Sequence, residues 1–114
     1  AIEKALTKHG YTVFTAGNGI EGAAAFCQRA QSIKLVMTDL NMPQMDGMAL
    51  IQLIRRLNPA LPIVVATGGS GGDDWENRVA QLGRLGVKAV LAKPFTVERI
   101  LHAVHETLTA PPAA

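Results

Sequence analysis

The sequence predicts an α/β fold, a parallel sheet covered by helices on both faces, and three observations carry that expectation. Short apolar, β-branched runs alternate with longer segments of helical periodicity, in the order helix and then four strand–helix units. The runs Leu35-Val36-Met37 and Ile63 to Ala66 are continuously apolar, as strands buried on both faces must be. The chain of 114 residues is 48% hydrophobic and 18% charged, enough for one packed core and unlike a disordered polypeptide.

Each element has its own signature. Ile2, Ala5 and Leu6 form the last turns of an amphipathic helix that His9-Gly10 closes with a glycine cap. Tyr11 to Ala16 is aromatic and β-branched and reads as a first strand, ending in the turn Gly17-Asn18-Gly19. From Ile20 to Ala30 the spacing predicts a helix whose core stripe is Ile20, Ala23, Ala24 and Cys27, with Cys27 a small buried residue. A second strand spans Ile33 to Thr38, and a polar loop, Asp39 to Gly47, follows it. Leu50, Ile51, Ile54 and Leu57 mark a helix that must stop before Pro59, because the residue ahead of a proline resists helical geometry.

A third strand occupies Ile63 to Ala66, and a glycine-rich stretch from Thr67 to Asp74 leads into a helix using Trp75, Val79 and Leu82. Gly86 closes that helix, Ala89 to Ala92 is the fourth strand, and Val97, Ile100, Leu101, Val104 and Leu108 form the last helical stripe. Thr96 stands where an N-cap belongs. Residues 1–108 thus read as one domain and 109–114 as an Ala/Pro tail or the start of a linker.

Composition removes several function classes. The formal net charge is +2, and the basic residues are scattered from Lys4 to Arg99 without a dense run, so no direct nucleic-acid binding is expected. The apolar runs fall far short of the roughly 20 residues that span a bilayer, so no membrane association is expected either. One cysteine makes no internal disulfide, which suits a reducing cytoplasm.

Right-handed crossovers bring the carboxyl ends of parallel strands to one edge, where open sheets bind their ligands. Asp39, Thr67 and Lys93 each follow directly on a predicted strand, so an acid, a hydroxyl and an ammonium converge on that edge. A carboxylate can attack phosphorus and form an aspartyl-phosphate, and a hydroxyl and an ammonium can hold the phosphoryl oxygens. The plainer reading makes Asp39 a loop cap, Thr67 a packed residue and Lys93 a solvated one.

The local motifs separate these readings. The segment from Val36 through Thr38-Asp39-Leu40-Asn41-Met42-Pro43 to Asp46-Gly47 strongly resembles the phosphoacceptor segment of response regulator receiver domains, the CheY-like modules of two-component signalling. Gly10 to Val13 with Ala16 to Gly19, Ile63 to Gly68, and Leu91 to Phe95 match the same family in the same order. The resemblance implies a flavodoxin-like, doubly wound sheet in the order 2-1-3-4-5. It implies Asp39 as phosphoacceptor, Thr67 and Lys93 as the groups that bind the phosphoryl moiety, and Asp39 with the Asn41 carbonyl as ligands for Mg²⁺. Pro43, Asp46, Gly47 and Pro94 come over as structural residues, with Asp46 starting the next helix and Lys93-Pro94 a candidate cis bond. The expected donor is a sensor histidine kinase or a phosphotransfer protein, homodimerisation is an expected response, and no enzymatic turnover beyond Mg²⁺-dependent self-phosphorylation and self-dephosphorylation is implied.

Three departures stand out. Receivers open on a strand ending in two acids that hold Mg²⁺, and no such segment precedes Ala1, so the first strand reads as lacking and weak or absent Mg²⁺ binding is expected of these residues. The family's aromatic residue three positions before the lysine is Val90 here. The stretch from Gly68 to Asp74 is longer and richer in glycine than the family's usual connection.

Rival readings rest on less. A receiver-like module that works through protein contacts without phosphorylation is the main one. Gly68 to Gly72 also fits a nucleophile elbow with Ser70 as nucleophile and His102 or His105 as base, but no acid is suitably placed and the chain is short for that fold. No Gly-Lys-Ser/Thr follows those glycines, so they are not a Walker loop, and Pro43 and Gln44 break a calcium-loop pattern. His102 and His105 read as a solvated pair rather than metal ligands, and Trp75 as a packed aromatic.

Overall fold

The computed structural model describes residues 2–40, 47–67, 75–92 and 94–109. Its elements in chain order are α1 (Ile2–Lys8), α2 (Gly19–Arg29), β1 (Val36–Thr38), α3 (Gly47–Leu57), β2 (Ile63–Thr67), α4 (Trp75–Arg84), β3 (Ala89–Ala92) and α5 (Val97–Thr109). The strands form a parallel sheet in the order β1-β2-β3, with Val36 opposite Ile63, Thr38 opposite Val65, Val65 opposite Val90 and Thr67 opposite Ala92. This is the 3-4-5 run of the order expected from the resemblance, and α/β is the observed class.

Side-chain alternation on β2 divides the core in two. Ile63 and Val65 point into a cluster with Phe26, Leu50, Ile51, Ile54 and Leu82, so α2, α3 and α4 cover that face. Val64 and Ala66 point the other way, onto Leu6, Ile100, Ala103 and Val104 of α1 and α5. Every residue of β2 is buried, which explains its unbroken apolar run.

The helix boundaries follow their chemistry. Gly10 and Gly86 have φ of 95° and 77°, the left-handed conformation that closes a helix, and Tyr11 N–H to Leu6 O and Val87 N–H to Leu82 O complete the two caps. Thr96 Oγ1 accepts from Arg99 N–H at 3.1 Å, as its position predicted. Asn18 caps α2 by accepting from Glu21 N–H at 2.9 Å, and the Glu21 carboxylate reaches back to Gly17 N–H at 3.0 Å. Arg55 fastens the end of α3 to the end of α4, donating to the carbonyls of Leu85, Gly86 and Asn58. Burial holds its guanidinium below the ordinary arginine range.

Three expectations are corrected. Tyr11 to Ala16 is not a strand of the sheet, which has three strands among the described residues rather than four. Its side chains do alternate, with Tyr11 and Val13 packed on the α1–α5 cluster and Thr12 and Phe14 exposed, but alternation fixes faces and not backbone pairing. The α2 stripe is also shifted, since Phe26 and Gly19 are buried while Ile20, Ala24 and Cys27 are exposed. Phe26 is the one bulky side chain with a place in the core, and its burial turns Cys27 outward. Leu57 ends the α3 stripe at 55% exposure.

Trp75 is half-buried at the start of α4, and His102 and His105 are exposed, His102 lying 3.2 Å from Glu106. Helix α5 runs through Thr109. Among the described residues no helix is long and apolar enough to cross a membrane.

Candidate functional site

The carboxyl edge of the sheet is built from the last residues of each strand. Thr38 is buried, and its hydroxyl donates to the Asp39 carbonyl at 2.9 Å. Asp39 follows at the rim, half-buried, and Leu40 returns into the core at 3% exposure. The acceptor candidate is thus held between a hydrogen-bonded residue before it and a buried leucine after it.

Gly47 tightens the same turn. Its N–H donates to Leu40 O at 3.0 Å, and a Cβ placed on it would lie 2.0 Å from the Asp39 carbonyl oxygen. No positive φ is involved, so glycine is required here for space. Sequence pattern marked Gly47 as structural; only the fold shows that it presses against the backbone of Asp39.

Across the sheet, Thr67 ends β2 with no exposure at all. A hydroxyl with no access to water needs a protein partner, and Thr67 Oγ1 donates to Asp39 Oδ1 at 2.9 Å. The two residues lie 28 positions apart in sequence and meet through the β1–β2 register. A negatively charged oxygen with a preorganised hydroxyl beside it can serve as a nucleophile and can share that donor with a group attached to it.

Lys93 follows Ala92, which pairs with Thr67, but Lys93 itself lies outside the described residues, as do Asn41, Pro43, Asp46 and Ser70. Pro94 is exposed in a bend after β3. Val90 is half-buried against the α2–α3–α4 cluster. Among the described residues no group of three or more His, Cys, Asp or Glu side chains could hold a metal. Asp39 supplies the hard oxygen chemistry that Mg²⁺ prefers, so these residues fit part of such a site.

The sequence matches the family model described as the response regulator receiver domain over residues 1–105. It is similar to the transcriptional regulatory protein GlrR of Escherichia coli K12, 32% identical over 103 residues that cover 90% of this chain and 22% of that protein. It is also similar to the probable chemotaxis protein CheY of Rhizobium etli, 35% identical over 111 residues covering 96% of this chain and 82% of that protein. The fold superimposes on the crystal structure of a response regulator receiver domain protein from Clostridium thermocellum with a TM-score of 0.82 at 28% identity, covering 94% of this chain and 82% of that one. The chain therefore spans about a fifth of the length of the transcriptional regulator it matches. Because the family match runs from α1 into α5, up to residue 105, and the strand order agrees with it, the chain belongs to the response regulator receiver domains of two-component signalling.

Proposed function

We propose that this receiver accepts a phosphoryl group on Asp39 from a phosphohistidine donor and thereby switches a protein-interaction face. The observation that carries the reading is the 2.9 Å bond from the fully buried Thr67 hydroxyl to the Asp39 carboxylate. In the transfer a carboxylate oxygen forms a P–O bond as the donor's P–N bond breaks, and the imidazole leaves with the electron pair and takes up a proton. Thr67 then turns its O–H from the carboxylate to a phosphoryl oxygen. Lys93, the residue after β3, offsets the added charge of about −1.5 to −2. Mg²⁺, when bound, neutralises the phosphoryl oxygens.

Asp39 and the Asn41 carbonyl would be its protein ligands, with water completing the set, so residues 1–114 alone bind the ion weakly. Titration calorimetry checks this, and an affinity in the low micromolar range would contradict it.

The responding face comprises β3 with α4 and α5, where Val79 and Val97 are exposed. Homodimerisation and contacts with an output segment would use it. A sensor histidine kinase or phosphotransfer protein supplies the phosphoryl group, and the reaction belongs in the cytoplasm. Turnover is limited to self-phosphorylation and self-dephosphorylation.

The test uses the polypeptide that carries these residues in the cell, incubated with acetyl phosphate and Mg²⁺. A phosphate adduct by intact mass, absent in Asp39→Ala, supports the reading. No adduct under conditions that modify a control receiver would overturn it and leave a module acting through protein contacts alone, which Val90, in place of the family's aromatic residue, favours.

A further inference from the structure

Topology gathers most of this chain's bases at one edge. In a layer of parallel strands and crossover helices, strand ends and helix starts share one edge, and strand starts and helix ends share the other. Glu21, Glu76 and Glu98 stand in the first turns of α2, α4 and α5, and Asp39 follows β1, all at the edge of the candidate site. The opposite edge carries Arg29, Arg55, Arg56 and Arg84 in the last turns of α2, α3 and α4. Lys34 and Lys88, just ahead of β1 and β3, add to it.

No acid occurs in residues 22–38, 48–66 or 77–92, so the ends of α2, α3 and α4 and the starts of β1, β2 and β3 carry no carboxylate of their own; on this side Glu106, near the end of α5, borders a recess with Lys88 and pairs with His102. Helix dipoles favour arginines at helix ends, but they give no reason for Lys34 and Lys88, which precede strands. Arg55 is committed to carbonyl groups and Arg29 stacks on Phe14, 4.1 Å from its ring centre. Among the described residues none of Arg29, Lys34, Arg56, Arg84 and Lys88 pairs with a carboxylate.

An open groove of about 490 Å³ lies in this basic edge, between the ends of α2 and α3 and the starts of β1 and β2. Phe26, Ile33 and Leu61 give it apolar walls, Lys34 and Asn58 stand on its rim, and Leu57 borders it at 55% exposure. Arg29 and Arg56 each neighbour a lining residue in sequence, Ala30 and Leu57.

We propose that this groove docks an acidic segment of a partner protein, with one large apolar side chain seated between Phe26, Leu57 and Leu61 and carboxylates on either side facing Lys34, Arg29 and Arg56. Charge complementarity selects an acidic partner. The recess selects a peptide, because a phosphate backbone meets the bases but offers no side chain to fill an apolar concavity. The groove lies across the sheet from Asp39, so docking leaves the phosphoacceptor accessible and does not depend on its phosphorylation.

The experiment is fluorescence anisotropy of the 114-residue protein with a labelled peptide, Glu-Asp-Glu-Leu-Phe-Glu-Asp-Glu, against the same peptide with Gly-Gly at its centre. Binding is expected to the first, weakening by at least about tenfold in the Lys34→Glu, Arg56→Glu double variant and on loss of the apolar pair, and weakening as salt rises from about 50 to 300 mM. Leu57→Gln weakens it too, while Asp39→Ala leaves it unchanged. All three groove positions are exposed, and circular dichroism confirms that each variant folds. The proposal is overturned by equal binding of the two peptides, by indifference to charge reversal, by absence of binding, or by stronger binding of a thymidine oligonucleotide or phosphatidylserine vesicles.

Discussion

Gly47→Ala tests whether the first turn of α3 and the backbone of Asp39 are one mechanical unit. The added Cβ would stand 2.0 Å from Asp39 O, 2.7 Å from Leu40 Cα and 2.9 Å from the Asp39 carbonyl carbon. Ordinary contact begins near 3.4 Å, so the start of α3 and the end of β1 must part by about 1.4 Å, and all three atoms met belong to backbone that cannot rotate away. Overpacking of this kind costs about 1–3 kcal/mol. Losing the 3.0 Å bond from Gly47 N–H to Leu40 O costs about 1 kcal/mol more. The better helix propensity of alanine returns about 0.5–1 kcal/mol, which leaves a net loss of about 1–3.5 kcal/mol. Against a domain stability of roughly 6–17 kcal/mol at this length, the variant folds, with a Tm about 4–17 °C lower. Urea titration followed by circular dichroism measures the loss, and the acetyl phosphate reaction measures its effect on the site, because the displaced carbonyl belongs to Asp39. A destabilisation below about 0.5 kcal/mol with an unchanged rate of adduct formation would refute the reasoning.

Gly83→Ala is the matching control within α4: its Cβ would meet nothing within 4 Å and its φ is not positive, so a gain of about 0.5–1 kcal/mol is expected in the same titration. Arg55→Met removes the donor for three carbonyls at the ends of α3 and α4 and should cost about 1–3 kcal/mol; Arg55→Lys recovers less than half of that, because one ammonium cannot reproduce the guanidinium fork. Burial lowers the Arg55 pKa, so the folded state holds that proton less tightly than the unfolded chain. The resulting penalty is present at neutral pH and lifts only as pH rises into the arginine range, so Arg55 should add no pH dependence to urea midpoints between about pH 6 and 9. Thr67→Val keeps the shape of a fully buried side chain and removes its bond to Asp39; a stability change under about 1.5 kcal/mol is expected, while phosphorylation-induced NMR shifts on β3 and α4 shrink.

The parts of the fold legible in the sequence are those set by local chemistry. Gly10 and Gly86 close helices because left-handed geometry excludes most other residues, Pro59 bounds α3, and Thr96 caps α5. The meeting of Asp39 and Thr67 was legible because parallel topology leaves strand ends nowhere else to go. Pairing was not: Tyr11 to Ala16 has the alternation of a strand, yet among the described residues it joins no ladder. The α2 face was misread because glycine, alanine and cysteine give two overlapping stripes of nearly equal hydrophobicity. Phe26 alone decides between them, since burying one aromatic ring outweighs several methyl groups. Nothing in the pattern Asp46-Gly47 reveals that a Cβ at position 47 would lie 2.0 Å from a carbonyl oxygen 8 residues upstream, because that proximity is set by the tertiary fold and not by local sequence.

The placement of Thr67 constrains how a phosphoryl signal could leave the site. β2 is flanked by β1 and β3, and all of its residues are buried, so its backbone is hydrogen-bonded on both sides and packed on both faces. A change at Thr67 must begin as rotation of its side chain. Thr67 shares a face of β2 with Val65, and the partners of these two residues on β3 are Ala92 and Val90. Ala92 has no side-chain torsion to respond with, and Val90 is β-branched, stiff at χ1 and half-buried. Neither can swing as a long aromatic side chain would. Through these two β3 neighbours a rotation of Thr67 would pass on as displacement of backbone rather than as a side-chain rotamer change, and backbone amide shifts on β3 are the signal to follow.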